Sequence, residues 1–162
     1  MVQDIVKAKM EMIRVLEICR DIERANAKLY GYFAEIFSGH QKMMNLWQKT
    51  ASEEKNHALQ FELAINLRRE QFFDSLAIDG SIANDMLKTI ELLYDEVRRN
   101  PPTMLEALRI AIKIEEDLAD FHMTTVVNFT EESHNKLFSS MMKSDQDHLE
   151  ELREFYRLLS TR

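Results

Sequence analysis

The sequence predicts an all-α fold: a four-helix bundle of two antiparallel hairpins, joined by one long crossover that contains a short extra helix. Three observations predict it. Glycine (3) and proline (2) are scarce among 162 residues, whereas Leu, Glu, Lys, Ala and Met, which lose little on entering a helix, are plentiful. Apolar residues recur at helical spacing over four long stretches. Gly39, Gly80 and the Pro101–Pro102 pair fall between those stretches. At 19.1 kDa the chain is read as one domain, 1–162, long enough to bury a substantial core.

Residues 2–38 carry Leu16, Cys19, Ala27, Tyr30, Phe33 and Phe37 on one face, and the stripe stops at Ser38-Gly39, where a glycine suits a helix end. A second helix, about 40–70, aligns Trp47, Ala51, Ala58, Phe61 and Ala64. The crossover, 71–101, opens on a less periodic run, QFFDSLAIDGS. Its Ser81 offers an N-cap for a shorter helix over about 82–98. At about 1.5 Å per helical residue, this connection can travel the length of a bundle. Pro101 and Pro102 break the chain and suit the start of a third helix, about 102–129, aligning Leu105, Leu108, Ile112, Ala119 and Val126. A fourth, about 131–160, aligns Phe138, Met141, Leu152, Phe155 and Leu159.

Composition narrows the function classes. A net charge of −7 leaves no basic face for nucleic acid. One cysteine, Cys19, excludes an internal disulfide and any paired-cysteine metal motif within the chain. No apolar run has the length of a membrane span, and MVQDIVKAKMEM lacks the apolar centre of a signal peptide. The reading is a soluble, cytoplasmic protein that binds neither membrane nor nucleic acid. Its ten methionines read as adaptable core filler.

Each of the four stripes is interrupted by charge. Glu23 stands between Cys19 and Tyr30, Glu54 with His57 between Ala51 and Phe61, Glu115 between Ile112 and Ala119, and Asp145 with His148 between Met141 and Leu152. Charges on a buried face are costly unless partnered. The acidic-x-x-His spacing alone does not discriminate, because Glu131–His134 shares it with the other two pairs. Register does. Glu23 and Glu54 are equidistant from Ser38-Gly39, and Glu115 and Asp145 are equidistant from Thr130. In an antiparallel hairpin such residues face each other, here about 23 Å from each turn by helical rise. Glu131–His134 lies at the second turn and has no partner level.

The resulting set is four carboxylates and two imidazoles. Four negative charges balance two divalent cations, giving a neutral site in a dry core. Mixed oxygen and imidazole ligands favour iron, manganese or zinc over calcium or magnesium. Each feature also has a plainer explanation: Glu23 salt-bridged to Arg20 or Arg24, and His57 an ordinary interior histidine. The repeated pattern at matched distances favours the metal site.

These residues lie in ERANAKLYGYFAEI (23–36), SEEKNHALQFEL (52–63), IKIEEDLADFH (112–122) and DQDHLEEL (145–152). In these segments the chain resembles the rubrerythrin branch of the ferritin-like di-iron proteins. The likeness covers the four long helices and leaves 71–100 aside. It implies a carboxylate-bridged centre of two iron ions, with Glu54 and Asp145 bridging, Glu23 and Glu115 terminal, and His57 and His148 each on one ion. Tyr30 matches a tyrosine that hydrogen-bonds ligand carboxylates in that family, and a homodimer is implied.

The implied chemistry is oxidation of ferrous iron by dioxygen, reduction of hydrogen peroxide, or both. Alternatives are iron storage in a cage, or a helical scaffold whose metal site has degenerated. Three departures stand out. Asp145 replaces a family glutamate, Leu118 stands where rubrerythrins carry a further glutamate, and the paired-cysteine rubredoxin module is missing. Electrons must then come from an external donor or from ferrous substrate. His122, at the position corresponding to Tyr30 in the second hairpin, reads as either a donor to the ligands or a hydrogen-bonded core histidine. Cys19, flanked by apolar residues, reads as an inert buried thiol.

Overall fold

The computed structural model describes residues 1–69, 73–77, 80–124, 126–129 and 132–161, with side chains described except at 68, 69, 73–77, 122–124, 126–129, 133, 134, 137 and 138. Five helices carry the fold, so the all-α expectation holds. They are α1 (Val2–Ile36), α2 (Gln41–Arg69), α3 (Gly80–Arg99), α4 (Met104–Thr124) and α5 (Glu132–Ser160). No helix among the described residues is long and apolar enough to cross a membrane.

Contacts order the helices. Arg20 of α1 reaches Glu62 of α2, whereas Tyr30 and Phe33 meet Trp47. Later positions in α1 thus meet earlier ones in α2, and the two run antiparallel. The same pattern joins α4 to α5, through Arg109–Tyr156 and Glu116–Arg153. It also joins α2 to α5, through Lys49–Glu151 and His57–Asp145. By contrast α3 runs parallel to α1: Gly80 abuts Val15, and the Tyr32 hydroxyl donates to the Val97 carbonyl at 3.2 Å. The crossover helix therefore lies along α1 and returns the chain to the end where α1 turns into α2.

The expected stripes on α1 and α2 are all buried, from Leu16 to Phe37 and from Trp47 to Ala64. Largest among them are Trp47, Tyr30 and Phe33, all fully buried and in mutual ring contact. On α4 the expected stripe is off-centre. Leu105, Ile112 and Ala119 are half-buried, and the buried row is Ala107, Leu108, Ala111, Ile114, Glu115, Leu118 and Phe121. A seven-residue spacing drifts about 20° per step around a straight helix, which displaces such a row from the face that packs. On α5, Met141 and Leu152 are buried while Phe155 and Leu159 are half-buried. Phe138 lies outside the residues whose side chains are described.

Helix ends correct other expectations. The third long helix stops at Thr124, not 129, and Val126–Phe129 forms a strand, β2, paired antiparallel with β1 (Phe73–Ala77) from the crossover. The run Thr124-Thr125-Val126-Val127 is β-branched, which disfavours helix and suits a strand. The α1–α2 turn closes with Phe37 at φ −103° and ψ 18°, and Gly39 is not left-handed. Ser81 lies inside α3 rather than capping it. Pro101 and Pro102 precede the N-cap of α4, which is Thr103. The Thr103 hydroxyl accepts the Glu106 N–H and the Glu106 carboxylate accepts the Thr103 N–H, a reciprocal capping box.

Candidate metal centre

The six charged residues predicted to interrupt the stripes all lie inside. Glu23 and Glu115 are fully buried, and Glu54, His57, Asp145 and His148 are at most 3% exposed. They come from α1, α2, α4 and α5. Helical spacing of three residues puts Glu54 beside His57 on one face of α2, and Asp145 beside His148 on one face of α5.

These residues converge. His57 Nδ1 lies 3.6 Å from Glu23 Oε2, 3.5 Å from Glu54 Oε2 and 3.5 Å from Asp145 Oδ1. His148 Nδ1 lies 3.3 Å from Glu54 Oε1, and the two imidazole centroids are 5.8 Å apart. Ligating atoms of Glu23, Glu54 and His57 all fall within 4.8 Å of one another, as do those of Glu54, Glu115 and His148. Glu54 is common to both triads and turns one oxygen toward each imidazole.

The donor set fits metal ions. Both Glu54 oxygens, His57 Nδ1, Glu115 Oε2 and His148 Nδ1 are buried without a hydrogen bond. They sit within ion-pair range of one another yet aim at the space between them. Buried polar atoms are normally satisfied, and a cation in that space would satisfy several at once. These glutamates and histidines could hold metal ions.

Metal-free, the cluster holds protons tightly. Burial opposes charge on His57, but the Glu23 and Glu54 carboxylates outweigh it and push the imidazole up from 6.5 to about 11. His148 is likewise lifted to about 9, with burial opposed chiefly by Glu54. Burial and then the Glu23 charge raise Glu54, while burial and then the Glu54 charge raise Glu115 well above the usual carboxylate range. The folded chain therefore binds these protons more strongly than the unfolded one. The stability His148 contributes is complete below its unfolded value of 6.5 and is lost as pH climbs through about 9. Glu54 and Glu115, also raised, act with the same sign: their contribution is complete below the ordinary carboxylate range and is lost as pH rises. Metal ions must displace these protons. The rise in melting temperature caused by manganese(II) is therefore expected to widen from about pH 6 to about pH 8. Paired thermal melts with and without the ion measure it, and a constant difference would contradict it.

Tyr30 is fully buried, and its hydroxyl donates to Glu115 Oε1 at 2.6 Å, across to α4. Burial, then the Glu115 and Glu54 charges, hold its pKa well above 10, so it serves as a donor. Arg20 and Arg24 both pair with Asp21 and Glu62 on the outside of α1. Leu118, one of the departures from the resemblance, is buried in the core. Cys19 is a buried free thiol whose pKa is raised first by burial and then by Glu23, in keeping with an inert role. The side chains of His122 and His134, and Glu131 altogether, lie outside what is described.

Two residues escaped the sequence reading. Glu53 contacts His148 Nε2, opposite the nitrogen that faces Glu54. Asn26 is fully buried with neither amide atom hydrogen-bonded. Its place one turn after Glu23 was a readable signal, since it extends the polar interruption of that stripe. Compared with known proteins, the chain matches no family model, no curated protein and no solved structure.

Proposed function

We propose that α1, α2, α4 and α5 form a ferritin-like bundle around a di-iron centre, and that the protein oxidises ferrous iron with dioxygen, reduces hydrogen peroxide, or both. One observation carries this reading: a single buried carboxylate, Glu54, belongs to two carboxylate–imidazole triads drawn from four helices. In it Glu23 and Glu115 would be terminal ligands, Glu54 and Asp145 would bridge, and His57 and His148 would each hold one ion.

Bound at this site, two ferrous ions would supply the two electrons that, with two protons, take hydrogen peroxide to two waters. The chain provides the setting. Four carboxylates neutralise two divalent ions, so the loaded site carries little net charge into the core. The Tyr30 hydroxyl holds Glu115 by one oxygen and leaves Oε2 for the centre. The apolar rows above and below the site exclude bulk water from the ligands. Renewed electrons would come from an external donor, since the one cysteine of this sequence, Cys19, is buried.

Anaerobic titration with ferrous iron is expected to saturate at two ions per chain. Hydrogen peroxide should then produce near-ultraviolet ferric absorbance in proportion to bound iron. A wild-type chain that never binds iron stoichiometrically, and whose melting temperature no metal raises, would instead be a helical scaffold with a decayed site.

A further inference from the structure

We propose that Glu53 is a positioning residue: its carboxylate accepts the Nε2–H of His148 and so commits Nδ1 of that ring to the metal bound by Glu54 and Glu115. The inference rests on the metal-centre reading above. A neutral imidazole carries one proton on two nitrogens, and the nitrogen that binds metal must be the one without it. At His148 the two nitrogens face different carboxylates. Nδ1 lies 3.3 Å from Glu54 Oε1, inside the cluster, and Nε2 meets Glu53. His148 is 3% exposed, so water is not a ready alternative partner for Nε2.

The local sequence explains why Glu53 is available. It sits one position before Glu54, about 100° around α2, which takes it off the inward face and toward α5. Its natural partner one turn earlier on α2 is Lys49, but Lys49 Nζ is engaged by Glu151 of α5 at 2.6 Å. Glu53 and His148 line the same cleft of about 290 Å³, so the contact forms the wall between the centre and solvent. At His57 it is Nδ1 that meets Glu23, Glu54 and Asp145. Glu53 touches His148 and so serves the ion that this ring would bind.

The test is an anaerobic cobalt(II) titration of wild type, Glu53→Ala and Glu53→Gln, followed by visible absorbance. Wild type should bind two equivalents. Glu53→Ala should retain one, with the other weakened about 10- to 100-fold, the usual cost of losing a partner behind a ligand. Glu53→Gln, whose amide oxygen can still accept the Nε2–H, should recover most of that loss. Nitrogen-15 spectra of the zinc-loaded protein should show a slowly exchanging Nε2 proton on His148 in wild type and lose it in Glu53→Ala. Two equivalents at unchanged affinity in Glu53→Ala would overturn the role of Glu53 and leave the metal centre standing. Equal weakening of both ions, with a lower melting temperature without metal, would also overturn it, as a merely structural contact. A wild type that binds no metal would overturn the centre itself, and this inference with it.

Discussion

Glu54→Gln is expected to abolish tight binding of both metal ions while making the metal-free protein more stable than the wild type. The two effects share a cause. Glu54 is the carboxylate common to both triads, so its loss weakens each ion, by about 100-fold or more where a charged ligand becomes a neutral amide. Without metal the same charge is a liability. Burial and the neighbouring Glu23 raise the Glu54 pKa, which means the fold disfavours its ionised form. Glutamine keeps the shape and removes the charge. The gain is expected to be on the order of 1 kcal/mol, or roughly 2–4 °C in melting temperature for a domain of this size. Calorimetric titration and thermal melts, each with and without manganese(II), measure both effects. A variant that still takes up two ions, or that melts earlier than wild type without them, would contradict the shared-ligand arrangement. Glu23→Gln should differ in kind, weakening one ion and sparing the other.

Trp47→Ala is expected to cost about 3–5 kcal/mol, a large share of the roughly 5–15 kcal/mol that stabilises a domain. Trp47 is the chain's one tryptophan and is fully buried. It stacks on Tyr30 with centroids 5.6 Å apart and meets Phe33 edge-on at 5.0 Å. Removing it opens a cavity under the ring whose hydroxyl holds Glu115 at 2.6 Å. Stability and site are therefore coupled here, and metal affinity should fall along with the melting temperature. Urea unfolding followed by circular dichroism measures the loss, with Trp47→Phe expected to recover part of it. A cost below about 1 kcal/mol would mean the aromatic cluster is not the structural support of Tyr30.

Much of the site was legible because its geometry is mostly helical arithmetic. A period of 3.6 residues places Glu54 beside His57 and Asp145 beside His148, and equal distances from a turn place opposite helices at one level. Charges that interrupt apolar stripes then mark where buried charged side chains must be. This reasoning identified the six side chains, all of which are buried. Asp145, shorter than the glutamate expected from the resemblance, still comes within 3.5 Å of His57.

Where tertiary contacts enter, the linear pattern loses its hold. The end of α4 at Thr124 and the pairing of β1 with β2 join segments some fifty residues apart, and no local signal encodes such a partner. The tyrosine one stripe above Glu23 donates across the core to Glu115, because neighbouring helices bring that oxygen within reach. The position of α3 alongside α1, the rotation of the α4 face and the turn of Glu53 toward His148 are likewise packing outcomes. Spacing along a chain sets height and angle on each helix. Which helices become neighbours, and which rotamer closes the gap between them, follows from how distant surfaces fit together.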